Sequence, residues 1–332
     1  MKFLSTLLTI TLAIHLVAQE NPLWMRYPSI SPDGKTIVFS YQGDLFTVAA
    51  NGGDAKHLTV HKAYDFMPVW SPDGGSVAFA SDRQGNFDIY IIPVTGGEAK
   101  RLTTHSSNEY PNSFLPDGTG VLFSATIEDA KDNVQFPSGV LSELYSVPSE
   151  GGKVTQVLST PADMARYDQS GSRIIYQDRK GYENVWRKHH KSAVARDIWM
   201  YDVESDTHTK LTSFEGEDRN PVFDEDERKI YFLSEQFGAF NICKFPLDDP
   251  DNVSQVTSHE HHPVRFLSIA MDGTLCYGYH GEIYVIRPGE DIARVPVNIS
   301  TEDKENQQEF MTLSAEATEM RLSPSGKEIV FV

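Results

Sequence analysis

Arg187-Lys188-His189-His190-Lys191, preceded by Trp186 and followed by Arg196, forms a basic, aromatic island in a chain with 47 acidic against 29 basic residues. Arginine offers a planar fork to a carboxylate and lysine a compact point charge. Arg187, Lys188, His189, His190 and Arg196 are therefore the candidate substrate-binding residues, with a peptide carboxylate as their guest. The competing reading pairs these cations locally with Asp178, Glu183 and Asp197, or docks the loop on another domain. A second cluster, His259-Glu260-His261-His262, holds good zinc ligands. Contiguous histidines on an extended loop cannot all turn to one ion, so neither a metal nor a cofactor is assigned. His61, His105 and His259 recur at one repeat position, after Leu58-Thr59-Val60, Leu102-Thr103-Thr104 and Val256-Thr257-Ser258. They form either a ring of imidazoles or a repeated strand-end hydrogen bond, and phase-locking in a repeat favours the framework reading.

Other chemistry is missing. There is no Gly-x-Ser-x-Gly elbow and no phosphate-binding glycine loop. Cys243 and Cys276 fall inside expected strands, which argues for packing rather than a thiolate nucleophile. No catalytic residue is assigned to this chain. The net charge of -18 argues against a nucleic-acid partner, which needs a clustered basic surface.

Lys2, the apolar run from Phe3 to Val17 and then Ala18-Gln19-Glu20 carry the pattern of a secretory signal over residues 1–18. The run is too short to favour a transmembrane anchor, so no membrane span is expected after cleavage. Two cysteines are too few for a disulfide framework; buried free thiols are expected, with a bridge between neighbouring blades as the alternative.

Three repeated markers set the elements that position these residues. Ser31-Pro32-Asp33-Gly34 recurs as Ser71-Pro72-Asp73-Gly74 and Leu115-Pro116-Asp117-Gly118, and more weakly at Ser170-Gly171, Asp226-Glu227 and Met271-Asp272-Gly273. Proline fixes φ at one position of such a turn, while Asp and Gly tolerate the others. An acid or amide before an apolar pair occurs at Asp44, Asp88, Glu143, Asp197, Asn241 and Glu282, in steps of 44, 55, 54, 44 and 41 residues. These steps suit a four-stranded propeller blade. A Gly-Gly pair followed by Leu-Thr or Val-Leu closes the first three units.

The expected fold is all-β: a six-bladed β-propeller of four-stranded blades over residues 22–299, with blade six supplying its own fourth strand near 292–299. Residues 300–318 read as a linker. Residues 319–332 restart the marker turn at Ser323-Pro324-Ser325-Gly326 as the first strands of a second, truncated propeller. Two long second-to-third-strand connections, 124–142 in blade three and 177–196 in blade four, rise from one face, where binding loops usually lie.

The segment from Ser71-Pro72-Asp73-Gly74 through Asp88-Ile89-Tyr90 to Leu102-Thr103 resembles the repeats of TolB and tricorn-type propellers. Asn184 to His190, Ala195 to Trp199 and Leu144-Tyr145-Ser146-Val147-Pro148 resemble exported bacterial homologues of tricorn protease. That resemblance implies a second propeller, a PDZ-like domain and a C-terminal serine peptidase core of the S41 class beyond Val332. It further implies propellers that gate or orient peptides or unfolded polypeptides, contacts with other domains of the same chain, and assembly into homo-oligomers in the periplasm or cell envelope. The archaeal family member holds the substrate C-terminus with a basic pair from this propeller; no residues here align with that pair, and Arg187, Lys188 and Arg196 are candidates for its role on chemistry only. The rival readings are a stand-alone TolB-like interaction propeller of the envelope and the propeller of a prolyl-oligopeptidase-type enzyme.

Overall fold

The computed structural model describes residues 22–127, 141–182, 184, 187–224, 228–300 and 319–331. The leader expected at 1–18, most of the blade-three insertion and nearly all of the 300–318 segment lie outside the described residues. Six four-stranded antiparallel sheets follow one another along the chain, and within each the strands pair in sequence order. These are the six blades. Their first strands are Arg26–Ile30, Asp65–Trp70, Glu109–Phe114, Ala162–Tyr167, Asp218–Asp224 and Arg265–Ile269.

The markers explain themselves in hydrogen bonds. In the turn between the first and second strands, Ser31 Oγ donates to Asp33 Oδ1 at 2.6 Å, and the same oxygen accepts the N–H of Lys35. Ser71, Asp73 and Gly75 repeat this arrangement. The serine hydroxyl, then the backbone N–H, hold both carboxyls below the usual range. The threonine after strand four is also structural: Thr59, Thr103, Thr212 and Thr257 each accept the N–H of the apolar residue opening strand three, at 2.8 to 3.0 Å.

The core consists of six apolar layers, one between each pair of neighbouring blades. Val38 and Leu45 of blade one pack with Val77, Phe79, Tyr90 and Ile92 of blade two. Ile37, Phe39 and Phe46 of blade one pack with Cys276, Ile283 and Val285 of blade six. Cys243 and Cys276 are both buried and free, and burial pushes the Cys243 thiol up to about 12.

Blade six has its own fourth strand, Ala293–Arg294. The chain then runs on, and Val297–Asn298 pairs in parallel with Gly53–Asp54 of blade one. Gly53 N donates to Pro296 O and Ala55 N to Asn298 O, both at 2.8 Å. Gly52, at φ +90, lies so close to Pro296 that a Cβ would overlap it, whereas the equivalent Gly96 has open space around it. The Gly-Gly marker is thus a turn in blade two and a ring closure in blade one. Residues 319–331 form a separate unit, a hairpin of Met320–Leu322 with Ile329–Phe331 turning at Gly326.

Two buried acids begin first strands. Burial raises Glu109 to about 7, and Arg101 nearby is committed to Asp88 at 2.8 Å. Burial likewise raises Asp218 to about 7, next to Asp197 and Glu217. Both folded-state values lie above the model-compound values of 4.5 and 3.8. Their stabilisation is therefore complete below the unfolded values and is lost as pH rises through 7. Glu109→Gln should raise stability at pH 8 by about 1–3 kcal/mol and flatten the loss between pH 5 and 8, as followed by urea unfolding. Gly96→Ala should cost about 1–2 kcal/mol for its positive φ alone. Gly52→Ala should cost clearly more because it opens the ring, and equal losses in thermal unfolding would refute that role for Gly52.

Candidate functional site

Every first strand carries a β-bulge, and in five blades the bulge holds a non-glycine residue at positive φ: Tyr27 (51°), Met67 (52°), Met164 (52°), Asn220 (51°) and Phe266 (59°). Blade three has one residue fewer there, and its bulge residue Asn112 instead donates to Ser124 Oγ at 2.7 Å and accepts Met164 N at 3.1 Å. Bulges re-aim side chains. Here they put Tyr27, Met67, Asn112, Met164, Asn220 and Phe266 around a cavity of about 50 Å³ lined by all six blades, which can only lie on the propeller axis.

This cavity is the waist of a longer channel. On the side of the first-to-second-strand turns it shares Ser29, Val69, Arg166 and Ser268 with a wider cavity of about 390 Å³. On the other side it shares Tyr27, Met67, Met164, Asn220 and Phe266 with a cavity of about 150 Å³ that Arg196, Arg219 and Arg265 also line. The rings of Tyr27 and Phe266, from the neighbouring blades one and six, meet at 4.3 Å on the wall of the waist. Burial pushes Tyr27 up to about 12 and Arg265 down to about 10.

The blade-four insertion lies on the second end of the channel, and it divides the predicted binding residues into two groups. Arg187, Lys188 and His189 are exposed. His190 and Arg196 are 1% and 4% exposed and meet at Glu217, which is fully buried. Arg196 Nη1 donates to both Glu217 oxygens at 3.1 Å, Arg219 Nε donates to Oε2 at 2.6 Å, and His190 Nδ1 stands 3.1 Å from Oε1. Burial pulls Glu217 upward, but Arg219, Arg196 and His190 hold it below its usual value. The insertion is also fastened by Lys188 Nζ to His261 O at 3.3 Å and by His189 N to Glu235 Oε2 at 2.7 Å. It is a strap across blades four to six. Lys180 pairs with Asp197 and Asp178, and Lys210 with Asp197, so local ion pairing claims those two acids.

Ser192 Oγ lies 2.7 Å from His190 Nε2, so Ser192, His190 and Glu217 follow the contact order of nucleophile, base and orienting carboxylate. The surroundings argue for a fastening instead. Two arginines already neutralise Glu217, Ser192 Oγ accepts the N–H of Val194 at 3.2 Å, and Ser192 lines none of the cavities above.

The repeated histidines keep to the framework. His61 N donates to Asp44 Oδ1 and His259 N to Asn241 Oδ1, while His105 Nδ1 accepts Ser107 N. His259 stacks on Tyr279 at 3.8 Å and His262 on His280 at 4.2 Å, so the two rings serve different partners. Among the described residues, no three His, Cys, Asp or Glu side chains are arranged to hold a metal ion. Sequence reasoning missed Glu217 and the bulge residues. The first carried a signal, as an acid beside Asp218 between two strands, whereas the bulge residues share no side-chain type.

The sequence profile of the family described as Tricorn protease N-terminal beta propeller domain matches residues 22–291. The crystal structure of the tricorn protease superposes with a TM-score of 0.72 at 22% identity, covering 86% of this chain and 27% of that one. TolB from Acinetobacter baumannii superposes with a TM-score of 0.54 at 17% identity, covering 74% of this chain and 56% of that one. The Tol-Pal system protein TolB of Wolinella succinogenes is 36% identical over 63 residues, 19% of this chain and 15% of that protein. The chain thus spans well under two thirds of the length of these relatives.

Glu217→Ala leaves Arg196 and Arg219 buried without their counter-charge, which should cost about 3–5 kcal/mol. It should also speed amide exchange in residues 187–196 well beyond the exchange in blades one and two. Uniform acceleration across all blades would show that Glu217 supports the whole fold rather than the strap.

Proposed function

From the chain's membership of the tricorn protease N-terminal β-propeller family, which its profile match establishes, we propose that it is a non-catalytic module that gates or orients peptides for a serine peptidase core elsewhere in a longer protein. The observation that carries this reading is the axial channel. It runs from one end of the propeller towards the other and narrows to about 50 Å³ at side chains that can rotate, chiefly Met67, Met164 and Phe266. Methionine has three rotatable bonds, so a waist of this kind can close without being rigid. Export to the periplasm or envelope rests on the leader-like residues 1–18. The hairpin at 319–331 supports the start of a second propeller, since its turn repeats the blade marker.

On this reading Arg187, Lys188 and His189 are the exposed residues of the strap that a peptide carboxylate would meet, while His190 and Arg196 hold the strap in place. The local identity to TolB supports a second reading, a protein-interaction propeller of the cell envelope. There the strap and its exposed cations would be the docking face.

In the full-length protein, Met67→Ala combined with Phe266→Ala should raise kcat/KM several-fold for peptides of ten or more residues and leave dipeptide and tripeptide substrates unchanged. Equal effects on long and short peptides, or unaltered rates after deletion of residues 22–299, would reject gating through this propeller.

A further inference from the structure

We propose that Arg166 anchors a carboxylate-binding site on the propeller axis, at the wide end of the channel. The argument begins with register. The residue that follows each bulge and re-enters the pairing with the second strand is Ser29, Val69, Ser113, Val222 and Ser268 in five blades, and Arg166 in blade four. Five blades put a small or β-branched side chain at this level, and one puts a guanidinium there. Arg166 lines both the waist and the cavity of about 390 Å³.

Among the described residues no hydrogen bond or ion pair engages the guanidinium, and its proton affinity is lowered to about 10 by burial, with no neighbouring charge contributing. Arg166 is half-buried and lines the lumen. Two acids line the same cavity, Asp168 and Asp224. Asp168 is committed to its own turn, where it accepts from Ser170 Oγ, Ser172 Oγ and the N–H groups of Ser172 and Arg173. Asp224 ends the first strand of blade five and already has a partner of its own. A half-buried guanidinium with no acid bound to it among the described residues thus faces a space large enough for a small molecule.

The chemistry of the guest follows from the donors. A planar guanidinium fork matches the two oxygens of a carboxylate. The Ser29 hydroxyl lines the same cavity, and Trp70 and Tyr167 offer faces for a short apolar body. The site stands apart from the exposed cations of the strap and does not depend on the gating proposal.

The test uses the chain as it is, at constant ionic strength. Acetate, succinate, sulfate, and one tripeptide as free acid and as C-terminal amide are titrated against the wild type, Arg166→Gln, Arg166→Lys and, as a control at an exposed cation away from the channel, Lys153→Gln. Binding is read by calorimetry and by the side-chain Nε–H resonance that disappears in Arg166→Gln. Saturable carboxylate binding that moves this resonance, weakens at least tenfold in Arg166→Gln, is partly kept in Arg166→Lys and is unchanged in Lys153→Gln supports the site. If the tripeptide acid binds at least tenfold tighter than acetate and the amide does not bind, the guest is a chain terminus. Equal binding of acetate, succinate and the tripeptide acid identifies a free small carboxylate. Identical binding by wild type and Arg166→Lys, where the glutamine variant does not fold, overturns the proposal, as does a response to sulfate alone.

Discussion

Each blade is a four-stranded sheet with two apolar faces and nothing of its own to cover them. Burial between neighbouring blades is therefore the interaction on which the rest of the structure depends. A row of such sheets satisfies every face only when the last blade meets the first, and the sixth apolar layer, with Phe39 and Phe46 against Ile283 and Val285, does this. The short parallel pairing of Val297–Asn298 with Gly53–Asp54 fastens the same junction from outside. Two residue pairs contribute little alone, but they join positions more than 240 residues apart in sequence and so fix the ring rather than a blade.

Closure in turn forces the inner strands together at the axis, and the bulges follow from that crowding. A regular strand there would alternate side chains between its two faces. The bulge breaks the alternation and turns one residue per blade inwards, at the expense of a left-handed backbone in five of them. Strain repeated at equivalent positions and facing one cavity belongs to the architecture of the channel. The channel's character then depends on what each blade contributes, and the contributions differ: aromatic rings from blades one and six, methionines from blades two and four, amides from blades three and five.

This division explains what the sequence made legible. The marker turns, the acid before the apolar pair and the Leu-Thr ending are local hydrogen-bonding devices, so they recur as visible motifs and give away the blades and their order. The bulge residues share only a backbone conformation, which Tyr27, Met67, Asn220 and Phe266 reach with unrelated side chains, and no residue pattern reports it. The basic island was visible as composition, but composition does not say which cations face inwards. His190 and Arg196 turn to Glu217, more than 20 residues along the chain, and that partnership exists only once blades four and five are side by side.

The charge distribution ties these levels together. The chain as a whole is strongly acidic, yet the side chains around its axis include Arg166, Arg196, Arg219 and Arg265. Arg196 and Arg219 are compensated by one carboxylate, Glu217, which also holds the strap. The strap and the lining of the channel mouth therefore share a buried ionic centre at Glu217. The wide cavity likewise mixes signs, since Asp168 and Asp224 line it together with Arg166, so what each part of the channel favours depends on which of these charges are already paired.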